Sequence, residues 1–341
     1  MWQPKRLWRL GCDSEPRITM ISTSLDMDLI AQASRMLQGR ILRTPMEYSP
    51  DLSALFGDEL FLKLEALQIT GSFKVRGAIF YLSTLSETEK SRGVAACSAG
   101  NHGLGVAYAA KQLGISSTVY VPKFADPCKC DKIMQLGANV IRSPFSGYDD
   151  TLDWTRDEVK KNGLHLISAF EDSRIMAGNG GSLAAEILED IPEVKNVIFP
   201  VGGGGLGAGI AYYLKEKNPE IRLIGCQHLE SPALKLSFER GAAVTHLPAV
   251  ETIAGGVEGG IGKECFEILK DRIDEVALVT ENEIEAAFVW MMKHHQYLIE
   301  PTAVVTVAAC LQKRLSLSPG KTALVITGRN VALTSVKKLL E

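Results

Sequence analysis

Residues 196–209 read N-V-I-F-P-V-G-G-G-G-L-G-A-G: a short apolar run, four consecutive glycines, and the opening of a helical pattern. Leu206, Ile210, Tyr213 and Leu214 mark the buried face of that helix. Gly202, Gly203, Gly204 and Gly205 carry no Cβ, so their amides can converge on one anion, and the dipole of the following helix adds attraction. The stretch predicts a phosphate cup between a strand and a helix. Two other readings fit the same letters. A tight turn would use the glycines for conformation alone. Gly202, Gly204 and Gly207 also satisfy G-x-G-x-x-G with Glu230 downstream, the pattern of a dinucleotide oxidoreductase.

A second junction separates these readings. Leu60, Leu62 and Leu64 alternate with Glu59, Phe61 and Lys63, a strand with at least one buried face. Beyond it Val75, Ala78, Ile79 and Leu82 form a helical stripe, with Ser72 placed as N-cap. Lys74 then falls in the first turn. There the positive end of the helix dipole disfavours an ammonium and moves the amine toward its neutral, nucleophilic form. Such a lysine is a candidate for a Schiff base with a carbonyl cofactor; a solvated lysine at a helix end has the same sequence. A Schiff-base lysine and a phosphate cup together point to pyridoxal phosphate, which needs both. A dinucleotide would leave Lys74 unexplained.

The chain also carries G-S-F-K-V-R-G-A (71–78), S-A-G-N-H-G (98–103), G-G-G-G-L (202–206), E-P-T-A (300–303) and T-G-R-N (327–330). In this order and spacing they resemble the serine/threonine dehydratase family, fold type II pyridoxal-phosphate enzymes that include threonine ammonia-lyases and serine racemases. The resemblance implies an α/β architecture of two lobes with parallel-type sheets and flanking helices, the cofactor lying in the cleft. It implies a large lobe of residues 24–90 and 167–341, a small inserted lobe of 91–166, and a homodimer or homotetramer. Cofactor contacts are implied at Phe73, Lys74, Asn101, Gly202, Gly203, Gly204, Gly205, Leu206, Glu300 and Thr327, with Asn101 on the phenolic oxygen and Thr327 facing the pyridine nitrogen. A hydroxyl there is a neutral partner, so the ring is a weaker electron sink and expulsion of a β-leaving group is favoured. The loop of Ser98, Ala99, Gly100, Asn101 and His102 is implied to bind the substrate carboxylate, His102 having no proton-transfer role. Lys74 would yield the cofactor to the substrate amine and then take the α-proton. The implied reaction is dehydration and deamination of L-threonine and/or L-serine to a 2-oxo acid and ammonia. Activity on 3-hydroxyaspartate, serine racemisation and a non-catalytic cofactor-binding role are the alternatives.

Departures from the family pattern narrow this reading. Serine racemases carry a second serine where this chain has Ala99, and alanine cannot transfer a proton. Metal-dependent relatives place acidic ligands where this chain reads Q-H-L-E-S-P-A (227–233), so no metal is expected. T-I-A-G-G (252–256) stands for T-I-A-D-G, and Arg329 replaces a common glycine; both changes fall in regions that influence the cleft.

Composition is that of an enzyme without nucleic-acid affinity: charged residues make up 23% of 341, and the net charge is −3. Neither a membrane span nor a signal peptide is expected. Seven irregularly spaced cysteines, an odd number, read as reduced cytosolic thiols. The C-x-C of Cys128 and Cys130 is two ordinary thiols before it is a zinc site. Residues 1–23 read as a disordered extension, with Met20 and Met27 as alternative starts. The end at Glu341 leaves no room for a regulatory domain, so isoleucine feedback is not expected. Helices are predicted at 26–37, 101–113, 129–136 and 149–160, and strands at 94–98, 118–121, 139–141, 196–201, 222–226, 275–279 and 322–327. Thr280 and Glu283 form a capping box for a helix ending near Tyr297.

Overall fold

The computed structural model describes residues 24–340; the predicted extension at 1–23 lies outside them. Ten strands form two sheets. The strands are β1 (Met46–Tyr48), β2 (Leu60–Lys63), β3 (Val94–Cys97), β4 (Ser117–Val121), β5 (Asn139–Arg142), β6 (His165–Leu166), β7 (Asn196–Pro200), β8 (Arg222–His228), β9 (Glu275–Val279) and β10 (Thr322–Val325). The larger sheet has the order β1-β2-β10-β7-β8-β9, parallel except for the β1–β2 pair. Within it β10 lies between β2 and β7, so both ends of the described chain build it. The smaller sheet, β5-β4-β3-β6, is wholly parallel and contiguous in sequence.

The central strands of the large sheet are apolar at nearly every position because helices cover both faces. Val197 and Phe199 enter one core with Ala323 and Val325, whereas Ile198 and Leu324 enter the other. The predicted capping box of Thr280 and Glu283 forms, and Asp26, read as part of the first helix, instead caps it by accepting the Leu29 amide at 2.7 Å. That second helix stops at His294, short of the position predicted.

Two features of the fold were not expected. The helix Lys74–Ser83, called here the lysine helix, is buried from Val75 to Leu82 on all sides, Arg76 included, where a single stripe was predicted. Helices press on it from both lobes. A π-turn, Ala177–Gly181, follows the short helix Ser173–Met176 and packs between the lysine helix and the cup helix, Gly205–Lys217. A Cβ on Gly178 would lie 2.6 Å from the Gly77 Cα, and one on Gly180 would lie 2.8 Å from the Gly209 Cα. The two site-bearing helices are thus held apart by one layer of backbone.

Candidate active site

Lys74 is the first residue of its helix. The N-cap is Phe73, with no side-chain cap bond, so Ser72 does not have the capping role predicted for it. Ser72 instead bridges Gly328 through its backbone, and the Phe73 amide donates to the Thr327 carbonyl at 3.2 Å. This antiparallel contact binds the lysine segment to the end of β10. The Lys74 ammonium donates to the Ala169 carbonyl at 2.7 Å. Its pKa is lowered to about 8, chiefly because burial strips its hydration; Cys265 and Glu300 partly oppose the shift. Dehydration, rather than the helix dipole invoked from sequence, carries the effect.

Gly202, Gly203 and Gly204 form a loop between β7 and the cup helix, which Gly205 opens; Gly204 is its N-cap, at φ +93°. The first-turn amides of the cup helix have no intrahelical acceptor and face a positive dipole end. Side chains are excluded on every side of the loop. A Cβ on Gly202 would collide with the Gly256 carbonyl, one on Gly203 with the Phe170 ring, and one on Gly204 would lie 2.7 Å from the Cys265 Cβ. Phe170 follows Ala169, the acceptor of the Lys74 amine. One dipeptide, Ala169-Phe170, therefore contacts both the amine and the glycine loop. Leu206, in the first turn beyond, is buried.

The third component comes from the smaller sheet. Ser98 follows β3, and its hydroxyl accepts the Gly100 amide at 3.1 Å, shaping the turn of Ser98, Ala99 and Gly100 into the helix Asn101–Leu113. That helix lies close against the lysine helix, since a Cβ on Gly105 would stand 3.1 Å from the Lys74 carbonyl oxygen. Asn101 donates from Nδ2 to Glu300 at 2.7 Å and accepts from Asn330 at 2.7 Å. Burial pushes the Glu300 carboxyl above its ordinary range, against the pull of Asn101, Lys129, the Asn330 amide and Lys74. His102 is buried, its Nε2 lies 3.1 Å from the Ile167 carbonyl, and burial lowers its pKa to about 3. It is neutral and holds the loop in place.

Two buried hydroxyls here, Thr327 Oγ1 and Ser72 Oγ, have no hydrogen-bond partner. Buried polar groups without partners are rare and call for a ligand or a water. A dehydrated amine, an amide cup cleared of side chains and a lone buried hydroxyl match the aldehyde, phosphate and ring nitrogen of pyridoxal phosphate. No group of three or more His, Cys, Asp or Glu side chains arranged for a metal occurs among the described residues.

Of the residues singled out from sequence, the structure brings Lys74, the glycines, Asn101, Glu300 and Thr327 into one neighbourhood. Sequence reasoning missed Ala169, Phe170, Cys265 and Gly256, which lie next to the amine or the cup. Ala169 is 95 residues from Lys74, and no local pattern signals such a contact. Asn330 stood inside a quoted motif but received no role.

The fold and this arrangement define a fold type II pyridoxal-phosphate enzyme. A family model described as pyridoxal-phosphate dependent enzyme matches residues 37–328, and the chain belongs to that family. It is 37% identical over 317 residues to L-threonine ammonia-lyase of Thermotoga maritima, covering 93% of this chain and 78% of that one. It is 36% identical over 316 residues to the catabolic L-threonine dehydratase of Escherichia coli, covering 92% and 95%. Among solved structures, maize serine racemase superposes with a TM-score of 0.87 at 28% identity, covering 93% of this chain and 97% of that one. The processed form of threonine deaminase isoform 2 from Solanum lycopersicum gives 0.83 at 28%, covering 93% and 94%. The resemblance stated from the motifs alone is confirmed.

Proposed function

We propose that the chain is a pyridoxal-phosphate-dependent lyase that dehydrates and deaminates a β-hydroxy amino acid, L-threonine and/or L-serine, giving a 2-oxo acid and ammonia. The observation that carries the reading is the shared wall: the Lys74 amine and the glycine loop both rest on Ala169-Phe170. The relatives named for threonine support the substrate class.

In this reading the amides of Gly202, Gly203, Gly204, Gly205 and Leu206 would hold the phosphate, and Phe73 and Glu300 would contribute further cofactor contacts. Thr327 would offer its unpaired hydroxyl to the ring nitrogen, and Asn101 would donate to the phenolic oxygen. When bound, the cofactor supplies the electron sink for the pair left behind as the α-proton departs. Lys74 is the catalytic residue, its lowered pKa leaving a usable fraction of neutral amine to take that proton. Ser98, Ala99, Gly100, Asn101 and His102 receive the substrate carboxylate through the loop and the helix N-terminus. With alanine at position 99 the loop has no second proton donor, which favours elimination over the racemisation named for two of the structural neighbours.

The large lobe comprises 24–90 and 167–341, the small lobe 91–166. The two separate sheets, the smaller one contiguous in sequence, support that division. The protein works in the cytoplasm as a homodimer or homotetramer. No helix among the described residues is long and apolar enough to cross a membrane.

The reading is tested by supplying pyridoxal phosphate with L-threonine, L-serine or L-threo-3-hydroxyaspartate and assaying 2-oxo acid and ammonia. Release from threonine or serine, unaffected by a chelator, is expected. No product from any of the three would leave a cofactor-binding protein without this chemistry.

A further inference from the structure

We propose that Asn330 is a positioning residue that fixes which way round the Asn101 carboxamide sits. The proposal rests on the reading above, in which Asn101 donates to the cofactor's phenolic oxygen.

A carboxamide can be turned by half a rotation with little change in shape, exchanging a donor for an acceptor. Around Asn101 the structure allows one choice, and the choice starts at a backbone atom. The Thr70 carbonyl can only accept, so the Asn330 side chain must turn Nδ2 toward it, at 2.8 Å. The other Nδ2 hydrogen of Asn330 then points to Asn101, whose Oδ1 accepts it at 2.7 Å. With Oδ1 committed, Asn101 Nδ2 faces the Glu300 carboxyl at 2.7 Å. The other Glu300 oxygen accepts the backbone amide of Asn330 at 3.1 Å, which closes the ring. Polarity therefore runs from Thr70 through Asn330 and Asn101 to Glu300. One Nδ2 hydrogen of Asn101 is left without a protein partner.

Two glycines keep the ring compact. A Cβ on Gly328 would lie 2.5 Å from Glu300 Oε1 and 3.1 Å from Asn101 Nδ2, and one on Gly71 would lie 3.0 Å from Asn330 Oδ1. Were the Asn101 amide reversed, its oxygen would face the cofactor oxygen, acceptor against acceptor. Asn330 prevents this without touching the cofactor.

The test compares holoenzymes carrying N330D, N330A, N101A and the N101A/N330A pair. N330D keeps the shape but sets an acceptor against both the Thr70 carbonyl and Asn101 Oδ1. Expected for N330D is cofactor binding weaker by on the order of tenfold. The pH midpoint of the bound cofactor's absorption band should move in the same direction as in N101A. N330A should give a smaller change of the same sign, and the double variant should be no worse than N101A alone. Wild-type binding and midpoint in both Asn330 variants, or full additivity in the pair, overturns the positioning role while N101A still shifts the band. If N101A shifts nothing, the role read for Asn101 fails, and that of Asn330 fails with it.

Discussion

The lysine helix has two polar sides that behave in opposite ways. Arg76, facing away from the cleft, is fully buried, yet its guanidinium meets Glu65 twice at 2.7 Å and Glu186 at 2.7 and 2.9 Å. Lys63 beside it is also fully buried, and its ammonium reaches the Thr44 carbonyl at 2.9 Å, Glu186 at 2.8 Å and Asp190 at 3.2 Å. Burial works to strip the Arg76 proton; Glu65 and Glu186 more than offset it, so the group stays charged. Two residues earlier, Lys74 has one carbonyl acceptor, and the nearby hydroxyls of Thr327 and Ser72 have none. A polar cluster that satisfies itself is part of the scaffold. One that does not is shaped for something the chain does not contain.

The comparison breaks most visibly at Lys74. Lys74→Ala should lower turnover by several orders of magnitude, read as 2-oxo acid release, because neither cofactor attachment nor α-proton removal survives. Its melting temperature should stay near that of the parent, since a buried ammonium with a single acceptor contributes little to stability. Arg76→Ala should do the reverse and cost about 3–5 kcal/mol in denaturant unfolding, by leaving Glu65 buried without its partner. Unchanged stability in that variant would mean the network is not a structural element. Thr327→Val sharpens the contrast. Removing an unpaired buried hydroxyl should leave the cofactor-free protein as stable or about 1 kcal/mol more so, while cofactor affinity falls about tenfold. A loss of stability without cofactor would show that the hydroxyl already has a partner.

The smallest expected effect is in pH. Only the neutral amine attacks an aldehyde, and burial has moved the Lys74 pKa down from 10.5 to about 8. Capture of pyridoxal phosphate by the cofactor-free protein should therefore quicken as pH rises through about 8 and level off above it. A rise continuing toward 10.5 would mean the amine keeps its hydration.

What the sequence disclosed and what it withheld follow from range. The glycine loop, the helix at 101–113 and the capping box at Thr280 are local patterns, and all are present in the structure. Lys74 could be placed at a helix start from periodicity, but the reason for its low pKa could not. That depends on what closes over it from other parts of the chain. Ser72 looked like a cap because serine before a helix usually is one; here the bridge to Gly328, more than 250 residues away, sets its backbone. Arg76 was passed over for the same reason, because its partners Glu65 and Glu186 have no fixed spacing from it.

The π-turn at Ala177–Gly181 carries a consequence for variation within the molecule. The Gly178 backbone lies against Gly77 and that of Gly180 against Gly209, while Asn179 Oδ1 accepts the Gly77 amide at 2.8 Å, so the span from amine to anion cup behaves as a ruler without adjustable marks. Even one added methyl would pry the helices apart and lengthen it. Selection for a new substrate would thus have to act on loops facing the cleft, such as the one bearing Gly255 and Gly256, while the ruler keeps its length.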